Sequence, residues 1–277
     1  MTGFIYAGYS TDTILDEKLL LTSFSKIDSI VGVNRDSQQG EPTITRPIVN
    51  EYGTVSEKLT FEYGLMKCSG ELFTREEQQV IERWLTSPKY STDLITFDDV
   101  TKEEIVRYCG LFTTTNWYPA QDGFYGMNFT FTNNAPYPSR RYSHTYKWSS
   151  YQVNQNDEWT FSCKCNTDEL NEYVYPIITI HADKEEPITF TNITDNRNKV
   201  TVIVPPSKRV YLDCRHCIIN NGVPGSDSLS YRDIGWGDTG DIYWPRLLPG
   251  TNQIKITGKC TIKVEFDSII KRVGGWL

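Results

Sequence analysis

Few residues in this chain are spaced for chemistry. The histidines, His144, His181 and His216, stand apart from one another. No H-E-x-x-H, G-x-S-x-G, P-loop or dinucleotide fingerprint occurs. Gly235-Trp-Gly237 is too short to cradle a phosphate. Cys163-Lys-Cys165 forms a C-x-C, and Cys214-Arg-His-Cys217 a C-x-x-C. Two such pairs can build a zinc site, but this spacing matches no standard knuckle. In a strand Cys163 and Cys165 share one face, so a pair of small buried thiols is the simpler reading. Redox use of the C-x-x-C lacks a surrounding βαβ unit.

Carboxylates pair at Asp98-Asp99, at Glu103-Glu104, and at Asp238 with Asp241. A glycosidase holds two carboxylates about 5–9 Å apart in a cleft. The last pair lies near Trp236, Tyr243 and Trp244, rings able to stack on sugars, yet no spacing rule supports hydrolysis. Trp236, Asp238, Asp241, Tyr243 and Trp244 therefore form a candidate contact loop for sugar binding without catalysis. A solvated loop with a hydrophobic anchor beneath it fits the same residues. No catalytic, cofactor-binding or metal-ligating set is expected, and the chain is not expected to be an enzyme.

A length of 277 residues fits one large or two ordinary domains. Aromatics make up 13%, with many Thr and Ile, which favours half-buried strands over helices. The start, MTGFIYAGYS, has no basic or apolar signal region, and no apolar run approaches the ~20 residues of a membrane helix. We expect a protein that folds where it is made, without membrane insertion. An odd count of 7 Cys then argues against a disulfide framework. The net charge of −7 is uneven: residues 1–140 hold 12 Lys+Arg against 19 Asp+Glu, and residues 141–277 hold 16 of each. A basic footprint for nucleic acid is absent.

Residues 73–87, FTREEQQVIERWLTS, give the one clear helix. Thr74 reads as N-cap and Glu77 completes a capping box. Val80, Ile81, Trp84 and Leu85 fall on one face, and Pro88 ends the run. Strands are expected at 4–9, 19–27, 58–65, 94–97, 107–113 and 126–132, with a tight turn at Asp122-Gly123. The polar stretch 31–53 reads as a long hairpin or arm leaving the core. Residues 133–141, NNAPYPSRR, read as an interdomain linker, because two Pro and two Arg suit no strand. Beyond it only strands appear, at 159–164, 176–181, 188–192, 199–204, 209–213, 253–258 and 259–267, around a Gly- and Asp-rich loop at 221–241. The expected fold is mainly β. An antiparallel β-sheet or sandwich domain at 1–138, with one packed α-helix and an extended arm, precedes a β-sandwich at 139–277.

That order resembles the distal tail protein (Dit) family of long-tailed, siphovirus-type bacteriophages. The arm followed by the alternating strand 59–65 is similar to the family's belt extension. The helix followed by Leu94-Ile-Thr-Phe-Asp98-Asp99 resembles its helix and L-x-F-D-D strand. Arg107-Tyr108-Cys109-Gly110 matches its aromatic-x-Gly strand, and Phe129-Thr130-Phe131 with Ala135-Pro136-Tyr137 its domain-closing segment. Val210-Tyr-Leu-Asp213 resembles a later strand, and Leu248-Pro249-Gly250-Thr251-Asn252-Gln253-Ile254 the entry to its last hairpin. The carbohydrate-binding insertion of some members has no counterpart here.

The resemblance implies a galectin-like second domain and a homohexameric hub ring at the tail tip or baseplate. It implies contacts to the tail-tube protein, the tape-measure protein and tail-tip or receptor-binding proteins, with DNA passing through the channel unbound. It also implies assembly in the host cytoplasm and residence in the virion. Candidate ring-interface and arm residues are Arg35, Asp36, Glu41, Arg46 and Tyr52, with Arg140 and Arg141 at the linker. A lectin-like host-surface adhesin is the alternative.

Overall fold

The computed structural model describes residues 2–22, 36–37, 53–54, 60–135, 137–148, 157–204, 209–221, 229–236 and 243–270. They fall into two compact units, which divide between Arg140 and Arg141.

In the first unit, β1 (Thr2–Tyr6), β2 (Tyr9–Ser10), β3 (Leu19–Thr22), β4 (Asp36–Ser37), β5 (Gly53–Thr54) and β6 (Thr60–Lys67) precede the helix α1 (Arg75–Thr86). After it come β7 (Thr92–Asp98), β8 (Glu104–Ala120) and β9 (Gly123–Asn133), and β10 (Ser139–Lys147) begins in the first unit and continues into the second. All pairings are antiparallel. One run is β2-β1-β7-β8, the other β3-β6-β9-β8. The 17-residue β8 serves both: its first part pairs with β7 and its second with β9. Gly110 lies at the changeover, opposite both Thr92 and Asn133. A Cβ there would stand 2.0 Å from the Thr132 carbonyl oxygen, so no side chain fits. Asn133 closes the same junction by accepting the Cys109 N–H at 2.8 Å.

An aromatic core fills the first unit. Phe4, Tyr6, Phe112, Phe129 and Phe131 are buried and meet edge-to-face or tilted. The helix adds Ile81, Trp84 and Leu85 to this core. Its start follows the expected chemistry. Thr74 Oγ1 accepts the Glu77 N–H at 3.2 Å, and Glu77 Oε2 accepts the Thr74 N–H at 2.7 Å. The other Glu77 oxygen meets the buried Lys67 ammonium at 2.8 Å, tying the helix start to the end of β6. Val80 departs from expectation. At 41% exposure it lies at the solvent margin of the stripe, beyond the reach of the sheet.

The second unit is a sandwich of β11 (Glu158–Cys165), β12 (Ile177–Ala182), β13 (Glu186–Asn192), β14 (Asn198–Val204), β15 (Arg209–Asp213), β16 (Ile218–Asn220), β17 (Gly250–Thr257) and β18 (Cys260–Ile269). One sheet runs β16-β15-β12-β18, bordered by β10, and the other β11-β17-β13-β14. Strict alternation builds the core between them: Val200, Val202 and Val204 from β14 face Ile178 and Ile180 of β12 and Ile262, Val264 and Phe266 of β18. Cys163 and Cys165 alternate inward with them.

The linker expected at 133–141 needs correction. Ser139, Arg140 and Arg141 open β10, and Ser139 pairs with Arg107. The arginines are held rather than free. Arg140 donates to the Ile105 carbonyl at 2.9 Å, and Arg141 meets Glu265 at 3.4 Å and Asp267 at 3.5 Å.

Candidate functional site

The candidate residues lie in two places, the arm and the loops of the sandwich. Of the arm, the short strands β4 and β5 are described; they pair antiparallel, Asp36 opposite Thr54 and Ser37 opposite Gly53. This two-rung ladder brings positions 37 and 53 together. Arg35, Glu41, Arg46 and Tyr52 lie outside the described residues, as do Asp238 and Asp241.

Trp236, Tyr243 and Trp244 are described, and they are used inside the fold. A ring that stacks on a sugar must be open, whereas Trp236 is only 6% exposed. Its indole N–H donates to the Thr201 carbonyl at 2.7 Å. Tyr231 stacks on it at 5.9 Å, and Trp244 meets it edge-on at 5.2 Å. The 3-10 turn Arg232–Ile234 carries the chain onto β14, and Gly235, at φ 79°, lies so close to Ile203 that a Cβ would stand 2.8 Å from its Cδ1. The hydrophobic-anchor reading of Trp236 thus describes its place, and the rings do not converge as an open sugar platform.

Tyr243 belongs to a polar network around Asp195, whose side chain is 3% exposed. Asp195 Oδ2 accepts the Tyr243 hydroxyl at 2.6 Å, Arg246 Nε at 2.8 Å and Asn198 Nδ2 at 3.1 Å; Oδ1 accepts Arg246 Nη2 at 3.3 Å. The guanidinium also lies over the Tyr173 ring at 3.8 Å. The Arg246 hydrogen bonds hold the Asp195 carboxyl down at about 2, against burial, which pushes the other way. Burial first, then Asp195, raises the Tyr243 hydroxyl. A carboxyl this acidic is a fixed anion at neutral pH and no proton acceptor.

The pH consequence follows from linkage. A depressed carboxyl pKa contributes stability above its ordinary value, and that stability is lost as pH falls toward the folded value. Asp195 should therefore contribute about 2 kcal/mol to the second unit at neutral pH, lost between about pH 4 and pH 2. Urea midpoints at pH 6 and pH 3 check this. The drop between them should be smaller in Asp195→Asn than in the natural chain.

A second polar bracket closes the same end of the sandwich. Asn252, fully buried, accepts the Leu248 N–H at 2.9 Å and donates to the Leu248 carbonyl at 2.7 Å. Its Oδ1 also accepts Asn192 Nδ2 at 3.1 Å, and Asn192 in turn donates to the Arg246 carbonyl at 2.9 Å. Sequence reasoning missed Asp195, Arg246 and Asn192 as a unit. A signal existed for Asn192: asparagine is disfavoured in strands, yet it ends the strand pattern at 188–192.

The remaining polar clusters are structural. Asp98 accepts the N–H groups of Val100 and Thr101 at 2.9 and 2.8 Å, an Asx turn. Asp99 meets Lys18 and Lys102. Burial pushes the Cys163 thiol up to about 12 and raises that of Cys214, opposite to a reactive thiolate. Among the described residues, no group of three or more His, Cys, Asp or Glu is placed to hold a metal ion.

The chain matches two family models, a phage tail protein N-terminal domain over residues 1–135 and a phage tail C-terminal domain over residues 144–266. It belongs to the phage tail proteins. The tail protein also shares its fold with solved structures. Dit of phage SPP1, described as a paradigm of the hub adsorption apparatus in phages infecting Gram-positive bacteria, aligns with a TM-score of 0.50 at 13% identity, over 98% of this chain and 99% of that one. A chain of the phage P2 baseplate, activated with Ca, aligns with a TM-score of 0.50 at 10% identity, over 95% and 97%. The Sr form of that baseplate aligns equally, over 96% and 98%. No curated protein sequence matches.

Proposed function

We propose that this phage tail protein is a non-enzymatic hub of the tail tip, assembled as a homohexameric ring. In this reading the ring joins the tail tube to tail-tip and receptor-binding proteins and surrounds the channel for DNA and tape-measure protein. The protein assembles in the host cytoplasm and ends in the virion. One observation carries the reading: the two tail domains and the likeness to Dit together run end to end, over 98% of the chain.

The first domain, 1–138, forms the ring, and the galectin-like second domain, 139–277, faces the peripheral proteins. The arm, 31–53, pairs with the neighbouring subunit through Arg35, Asp36, Glu41, Arg46 and Tyr52. Physics supports that division. An arm with exposed backbone needs a strand to pair with, and a closed cyclic ring supplies one at every subunit. The acidic first half suits a channel past which DNA slides without sticking.

Light scattering tests the assembly. The full chain should show about six times the mass of one 31.9 kDa protomer. Deletion of residues 34–51 should leave folded monomers. A monomeric full chain rejects the ring, and a hexamer without residues 34–51 rejects the arm as its fastener.

A further inference from the structure

We draw no further inference here: the strongest candidate, the hydroxyl and amide face of β6, β8 and β9 in the first unit, on which Glu62, Thr113, Thr114 and Asn116 stand exposed, carries nothing, because nothing in the structure shows what covers it.

Discussion

Replacing Trp84 with alanine is expected to destabilise the first unit by about 3–5 kcal/mol. Trp84 is 5% exposed and stacks on Phe4 with ring centroids 5.1 Å apart. Its indole N–H donates to the Tyr6 carbonyl at 2.7 Å, where β1 ends and the chain turns through Ala7 at φ 47°. The side chain thus fastens the helix to the sheet and caps the end of a strand. For a unit of this size the melting temperature should fall on the order of 10–20 °C. Trp84→Phe separates the two roles, since it keeps the stacking and loses the donor. It should cost only about 1–2 kcal/mol, the price of one buried carbonyl left unsatisfied. Denaturant unfolding followed by far-UV circular dichroism reads both. A Trp84→Ala protein that melts like the natural chain would show that the helix does not need the sheet.

Asn252→Ala should destabilise the second unit by about 3 kcal/mol. The cost comes from hydrogen bonds rather than volume. Removing the amide orphans the Leu248 N–H, the Leu248 carbonyl and one donor of Asn192, at about 1–3 kcal/mol for each buried group that water cannot reach. Asn252→Asp is the sharper variant. It keeps an acceptor for Leu248 N–H and Asn192, loses the donor to Leu248, and buries a carboxyl. Its loss should therefore ease as pH falls and the carboxyl protonates, whereas the loss in Asn252→Ala stays constant. Equal pH dependence in the two variants would exclude this account.

Local rules made much of the fold legible. The helix start is written in Thr74 and Glu77, three residues apart, and the sandwich strands in alternating runs such as Val200, Val202 and Val204. Val80 was misjudged because helical spacing marks a stripe but not how far a sheet reaches across it. β10 was missed for a different reason. Its sequence, SRRYSHTYK, has no apolar alternation, and its order comes from distant partners. Tyr142 stacks on Phe266 at 4.6 Å, and Tyr146 on Phe161 at 3.7 Å. Distance along the chain also hid the Asp195–Arg246 clamp, whose members lie 51 positions apart. The stretch Leu248–Ile254 was visible as the entry to the last hairpin. That Asn252 brackets Leu248 from within the core required the three-dimensional neighbours.

The bond from Trp236 to Thr201 has a bearing on solubility. β14 is the outermost strand of its sheet. Thr201 stands opposite Thr189 with their hydroxyls 2.8 Å apart, the close spacing of a rung whose backbone groups point away from each other. The Thr201 carbonyl therefore projects from the rim, where a stray strand would graft on. The indole occupies it, and the ring bulk blocks approach. Trp236 thus works as a stopper that keeps this rim from recruiting a foreign backbone.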